Sequence, residues 1–173
     1  MSKIIFRTNI ININSWNIIH LPKAISNKLS SRGMLIIEAR INNCIFKVEL
    51  EPDGSGSHWF KLSDDFMDKI KANKNDEISI EFEETKWFKP QIPLDFIVSL
   101  ENENLLDAWN LLTTKAQWEW IRWIRITKNE VTRQKRIKTA CSMLQSGKKR
   151  PCCFDQTRCT QTHVCNSGVL LSK

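Results

Sequence analysis

The stretch "LPKAISNKLSSRGMLIIEARI" (residues 21–41) has an echo in "LSDDFMDKIKANKNDEISIEF" (residues 62–82). In each copy a leucine precedes a short helical turn, a polar run follows, and the chain then enters a strand. Ile25 and Leu29 lie four apart in the first turn, as Phe66 and Ile70 do in the second, so each pair shares one helix face. The second strand alternates: Ile78, Ile80 and Phe82 face one way, Ser79, Glu81 and Glu83 the other, as in a strand with one face against a core. A unit of strand, short helix and strand is thus used twice, about 41 residues apart. Two such units in one chain can close a small barrel.

The flanking segments extend this pattern. "KIIFRTNIINI" (3–13) and "MLIIEARINNCIFKVEL" (34–50) are rich in β-branched residues and read as strands. "EPDGSGS" (51–57) is a turn by its Pro, Asp and Gly residues, and "HWFKL" follows it. The two prolines of "KWFKPQIPLD" (86–95) mark a boundary, beyond which the pattern is helical. Asn104 is a suitable N-cap for a helix over "NLLDAWNLL". Thr114 with Gln117, and Thr127 with Glu130, read as capping boxes for two more helices. In the last of these Ile137, Ala140, Cys141 and Leu144 form a buried stripe, and Gly147 suits the C-terminal end. The expected architecture is α+β: a double-split β-barrel over residues 1–89, a basic helical domain over 90–149 and a Cys-rich, flexible tail over 150–173.

Composition narrows the class. With 41% hydrophobic and 26% charged residues, the 173-residue chain is globular rather than disordered. No apolar run is long enough for a membrane span, and the first residues lack the apolar core of a signal peptide, so a cytoplasmic location is expected. Charge is uneven: residues 1–100 carry 13 Lys/Arg against 13 Asp/Glu, whereas 115–150 carry 11 against 2. A basic half of this kind suits a polyanion or an acidic protein partner, and equally a solvated helix face.

The stretch "AQWEWIRWIRITKNEVTRQKRI" (116–137) concentrates that charge between tryptophans. On a helix, Trp120, Trp123 and Ile124 share one face and read as core. Trp118, Arg122 and Arg125 lie on another, about 140–160° from Trp120, and read as a surface cation–π group. With Lys128, Arg133, Lys135 and Arg136 they are the candidate contacts to a ligand or nucleic acid, because each phosphate neutralised releases counterions and an exposed indole stacks on bases.

Catalysis has little support. The chain holds three histidines, His20, His58 and His163, and no Gly-x-Ser-x-Gly elbow; "GSGS" is too short for a phosphate loop. Of six cysteines, Cys152, Cys153, Cys159 and Cys165 crowd near the end around His163. Their spacing departs from the paired C-x-x-C of zinc sites, so neither metal nor cofactor is expected. In a cytosolic chain the same crowding argues against a disulfide framework.

The residues also resemble known domains. "WNIIHLPKAI", "INNCIFKVELEPDGSGSHWFKLSDDF" and "NDEISIEFEE" resemble a small bacterial domain of unknown function that often precedes a YdeI/OmpD-associated, bacteriocin-protection type, helical domain. "LTTKAQWEWIRWIRITKNEVTRQKRIKTACSMLQSG" is similar to that helical domain through its apolar helix, "WI", "TR" and "RI". The resemblance covers roughly residues 5–150. It implies a double-split barrel, an architecture shared with AbrB/MazE-like factors that build it from two chains, followed by a helical bundle. It implies no catalytic set. The expected function is a non-enzymatic interaction module with an unidentified protein or polyanion partner, monomeric or weakly self-associating. Nucleic-acid binding through the basic helices is the alternative.

Overall fold

The computed structural model describes residues 2–171. The chain divides into two compact units. Of the described residues, one unit runs to Lys86 and includes Gln156–Cys159 and 163–171; the other comprises Trp87–Asp155 and Thr160–Thr162.

Among the described residues of the first unit, seven strands form one antiparallel, curled sheet in the order β1-β7-β4-β5-β6-β3-β2. These are β1 (Ile4–Asn9), β2 (Ile11–Ile13), β3 (Trp16–His20), β4 (Leu35–Ile41), β5 (Cys44–Pro52), β6 (His58–Leu62) and β7 (Glu77–Glu84). Helix α1 (Lys23–Ser26) lies between β3 and β4, and α2 (Asp64–Ile70) between β6 and β7. The two copies of the sequence repeat therefore occupy matching places, and they join each other directly through β3·β6 and β4·β7.

Two stretches each serve two neighbours. The N-terminal stretch pairs with β7 as β1 and with β3 as β2. Between them stands only Ile10, fully buried, with its N–H on Asp76 O and its carbonyl accepting from Asn75 N. In the same way β5 pairs with β4 over Cys44–Leu50 and with β6 at Glu51 and Pro52. Because β1 and β2 are the outermost strands of the sheet and also consecutive in the chain, the sheet curls around its core.

Alternation sets what faces inward. Ile4 and Phe6 are buried while Ile5 between them is 64% exposed, and Ile78, Ile80 and Phe82 point into the same core. Met67 and Ile70 of α2 seal it, with Ile25, Leu29 and Phe66 packed alongside. Ser63 caps α2 by accepting from Phe66 N, and Lys71 in the left-handed region ends it. The β2–β3 hairpin turns at Asn14 and Ser15, both with positive φ as a two-residue type I′ turn requires.

The end of the chain departs from the expected flexible tail. Cys165–Asn166 (β8) and Val169–Leu170 (β9) form a hairpin through Ser167 and Gly168, again both at positive φ. Val164 and Cys165, with Cys159, cover an apolar patch of Ile11, Ile13, Ile18 and Trp59. A disulfide joins Cys159 to Cys165, with Cα atoms 6.2 Å apart, which corrects the expectation of thiols alone. Burying this patch is what orders the segment: three isoleucines and an indole leave water together.

The second unit is helical: α3 (Leu94–Asn102), α4 (Leu106–Asn110), α5 (Thr114–Arg125) and α6 (Glu130–Gln145). Phe96, Leu100, Trp109, Trp120, Ile121 and Ile124 pack with the expected α6 stripe of Ile137, Ala140, Cys141 and Leu144. The caps differ from expectation by one or two positions. Thr113, not Thr114, accepts from Ala116 N, and Asn129, not Thr127, accepts from Thr132 N. Asn104 lies at φ 56° between α3 and α4, where it ends one helix rather than capping the next. Among the described residues, no helix is long and apolar enough to cross a membrane.

Candidate functional site

Helix α5 has the helical apolar period that buries one face; here a second face is buried as well. Trp118 is 4% exposed, its indole N–H donates to Phe88 O at 2.7 Å, and its ring stands edge-on to Phe88. Arg122 is 1% exposed, with its guanidinium 5.2 Å from the Phe154 ring centre. Arg125 donates from Nε to Thr160 Oγ1 at 2.9 Å. Trp118 and Arg122 of the expected surface group are therefore interior, and Arg125 is half-buried, because chain at Phe88 and Phe154 closes over that face.

The arginines of α6 are also engaged. Arg133 grips Asp95 with two parallel hydrogen bonds, Nε to Oδ2 at 2.7 Å and Nη2 to Oδ1 at 2.9 Å. That fork ties α6 to the start of α3, and the guanidinium beside Asp95 holds its carboxyl below the usual range. Arg136 lies 4.7 Å over the Trp123 ring and donates to Trp123 O at 2.9 Å, which fastens α6 to α5. Trp123 in turn meets Trp120 edge-on at 5.8 Å and is half-buried beside the core. Of the seven candidates, Lys128 and Lys135 remain as exposed cations.

The cysteine cluster is likewise divided. Cys159 and Cys165 are spent in the disulfide, whereas Cys152 and Cys153 are exposed thiols with sulfurs 3.0 Å apart. His163 packs against Trp16 and hydrogen-bonds through Nε2 to Asn14 O, while Asn14 Nδ2 donates to His163 O. Among the described residues, no group of three His, Cys, Asp or Glu is placed to hold a metal ion.

A second site was not visible as a motif. The turn at residues 53–57 folds around Asp53: its Oδ1 accepts from Ser55 N at 2.7 Å and Ser57 N at 2.9 Å, and its N–H donates to Ser57 O. Its other oxygen, Oδ2, accepts from His20 Nε2 at 2.8 Å. Burial of Asp53 works to raise its pKa, but the bonds from His20, Ser55 and Ser57 outweigh that and bring it to about 2. Ser57 Oγ donates to Leu21 O at 2.7 Å, which fixes the turn against the end of β3. Beneath it His58 is fully buried, with Nε2–H donating to Gly33 O at 3.0 Å and Nδ1 accepting from Ser26 Oγ. Burial pushes His58 below the ordinary imidazole range.

His20 and Asp53 open onto a cavity of about 360 Å³, lined also by Thr8, Asn9, Ile11, Leu21, Pro22, Lys23, Ser55 and Ser57. The pair is asymmetric: the His20 side chain is 41% exposed and that of Asp53 7%. A buried carboxylate thus orients a half-open imidazole at the wall of a cavity with both polar and apolar lining. The sequence signal was slight, a histidine before "LPK" and an aspartate opening a glycine-rich turn.

Comparison with known proteins follows the same division. Residues 4–82 match a domain of unknown function, DUF1905, and residues 89–147 match the family described as bacteriocin-protection, YdeI or OmpD-associated. A comparison with curated proteins returned no match. Over residues 89–147 the chain is thus similar to the YdeI/OmpD-associated family, and over residues 4–82 to DUF1905.

Proposed function

We propose that the chain is a cytoplasmic, non-enzymatic binding module of the YdeI/OmpD-associated type, and that its ligand site is the cavity beside His20 and Asp53. Its N-terminal unit is a double-split β-barrel built from one chain. The two strands that each divide between two neighbours, and the pairing of the repeats through β3·β6 and β4·β7, support that architecture. The observation that carries the binding reading is the half-exposed His20 held at 2.8 Å by a buried carboxylate on the wall of a cavity of about 360 Å³. Cavities of roughly 300–1,000 Å³ with a few convergent polar groups are the usual form of a small-molecule site. Orientation of an imidazole by a carboxylate fixes its tautomer and direction, which serves recognition as well as proton transfer.

The test is a thermal-shift screen of the full chain against small molecules of varied charge, with a His20→Gln variant alongside. A compound that raises the wild-type Tm and leaves the variant unmoved supports the site. Equal shifts in both proteins, or none in either, would count against it.

The second reading is nucleic-acid binding through the second unit, favoured by the exposed Lys128 and Lys135 in a segment with 11 basic against 2 acidic residues. Anisotropy with single- and double-stranded DNA and RNA at several salt concentrations tests it. Binding that weakens log-linearly with salt, with a slope reduced by about two in Lys128→Glu/Lys135→Glu, is the expected signature. Absence of binding at low salt would end that reading.

A further inference from the structure

We infer that the His20–Asp53 cavity takes a small monoanion, specifically a carboxylate carrying a short apolar body; this rests on the reading of that cavity as a ligand site. The sign of the ligand's charge follows from which polar atoms are already spent. Asp53 is the one acid on the wall, and both its oxygens are occupied, Oδ1 by two backbone N–H groups and Oδ2 by His20. An amine entering the cavity would have to share an oxygen that already accepts from His20, on a side chain only 7% exposed. The cation on the wall is in the opposite condition. Lys23 is exposed and makes no ion pair among the described residues. Its chain lies over the turn, with Nζ 3.7 Å from where a Cβ at Gly56 would stand.

The remaining wall agrees with an anion of single charge. Thr8 and Ser55 belong to the wall, as does Asn9, whose amide already donates to Asn75 O, while Ile11, Leu21 and Pro22 supply an apolar side. One free ammonium balances one carboxylate. A phosphate dianion would bring a second charge close to the ionised Asp53 with no further free cation on the wall, and like charges in a partly desolvated site repel. A carboxylate of a few carbons puts its head near Lys23 and its body on Ile11 and Pro22, within about 360 Å³.

Benzoate, benzamide, benzylamine and inorganic phosphate are matched probes, titrated by calorimetry and saturation-transfer NMR into the full chain and into Lys23→Gln and His20→Gln. Both substituted side chains are at the surface, and circular dichroism checks that the variants keep the fold. The expected result is that benzoate binds and the neutral amide does not. Loss of Lys23 should then weaken benzoate at least roughly tenfold, the scale of one hydrogen bond to a charged group. Preferred binding of benzylamine, benzamide or phosphate at this wall, lost in His20→Gln, would overturn the carboxylate assignment while leaving the cavity a ligand site. Benzoate affinity unchanged in both variants overturns the assignment as well. Silence of all four probes overturns the assignment and removes the support for the cavity itself.

Discussion

His20 and Asp53, 33 residues apart in the chain, meet at 2.8 Å where the end of β3 passes the turn after β5. Neither strand requires the contact: β3 and β6 already pair through Ile19↔Phe60 and His20↔Trp59. The carboxylate instead joins the backbone of the turn, through Ser55 and Ser57, to a side chain at the cavity wall. Anything that moves the turn therefore moves the imidazole.

The same carboxylate makes stability depend on acid. Its pKa is about 2 in the folded protein against an ordinary 3.8, so the unfolded chain binds its proton first as pH falls. The stabilisation is complete above the unfolded value and is lost as pH drops from there through the folded one. A shift of this size corresponds to about 2 kcal/mol. Urea unfolding at a series of pH values from neutral to about 2 should show this loss in the wild type and a flatter profile in Asp53→Asn. Identical profiles would mean that another carboxylate carries the acid sensitivity.

The turn has a second partner, the hairpin that ends the chain. Leu170 N donates to Asp53 O at 2.8 Å, and a Cβ on Gly54 would stand 2.0 Å from Gly168 O. Gly54 also sits at φ +79°, so alanine there meets both strain and a backbone collision. Gly147, at φ +86° with nothing within 4 Å of its Cβ position, isolates the strain alone. Gly147→Ala should cost about 1 kcal/mol and Gly54→Ala clearly more. Gly54→Ala should in addition free the hairpin for cleavage by a protease, whereas Gly147→Ala leaves it protected. Equal effects on stability and cleavage would show that the close approach is not what fixes the hairpin.

How much of this could be read from residues depends on how local each feature is. Ile78, Ile80 and Phe82, and the stripe from Ile137 to Leu144, follow from period alone, and both are core. Trp118 and Arg122 mislead because helical period says which residues share a face, not whether irregular chain such as Phe88 and Phe154 will cover it. Thr114 and Thr127 fit a capping pattern as Thr113 and Asn129 do, and only backbone geometry selects the cap. The His20–Asp53 pair joins distant segments and leaves no spacing to detect. The ordered tail has no period either; it is held by a patch on other strands.

The disulfide closes a separation of only 6 residues, so its removal should be modest. Chain-entropy reasoning gives roughly 2 kcal/mol for a loop this short. Cys159→Ser/Cys165→Ser should keep the sheet, whose core of Ile19, Ile37, Phe60 and Phe82 does not include the hairpin. The change should appear over the patch formed by Ile11, Ile13, Ile18 and Trp59, as faster amide exchange in residues 163–171 and altered tryptophan emission. Loss of the whole sheet in this variant would mean that the hairpin is integral to the unit rather than fastened onto it.

Arg133 and Asp95 supply the last test, and it separates folding from ligand contact. Their two parallel bonds link α6 to α3, but the side chains are 20% and 33% exposed, so screening limits their worth. A double-mutant cycle with Arg133→Ala and Asp95→Ala should return a coupling of about 1 kcal/mol. Arg133→Lys should recover little of it, since an ammonium cannot occupy both carboxylate oxygens in the same plane. The consequence reaches the nucleic-acid reading. Arg133→Glu would place a second carboxylate against Asp95 and loosen α6, so weaker DNA binding in that variant says nothing about phosphate contact. Lys128→Glu and Lys135→Glu, at exposed positions, should leave the unfolding midpoint within the error of the wild type, and any loss of binding there belongs to the surface.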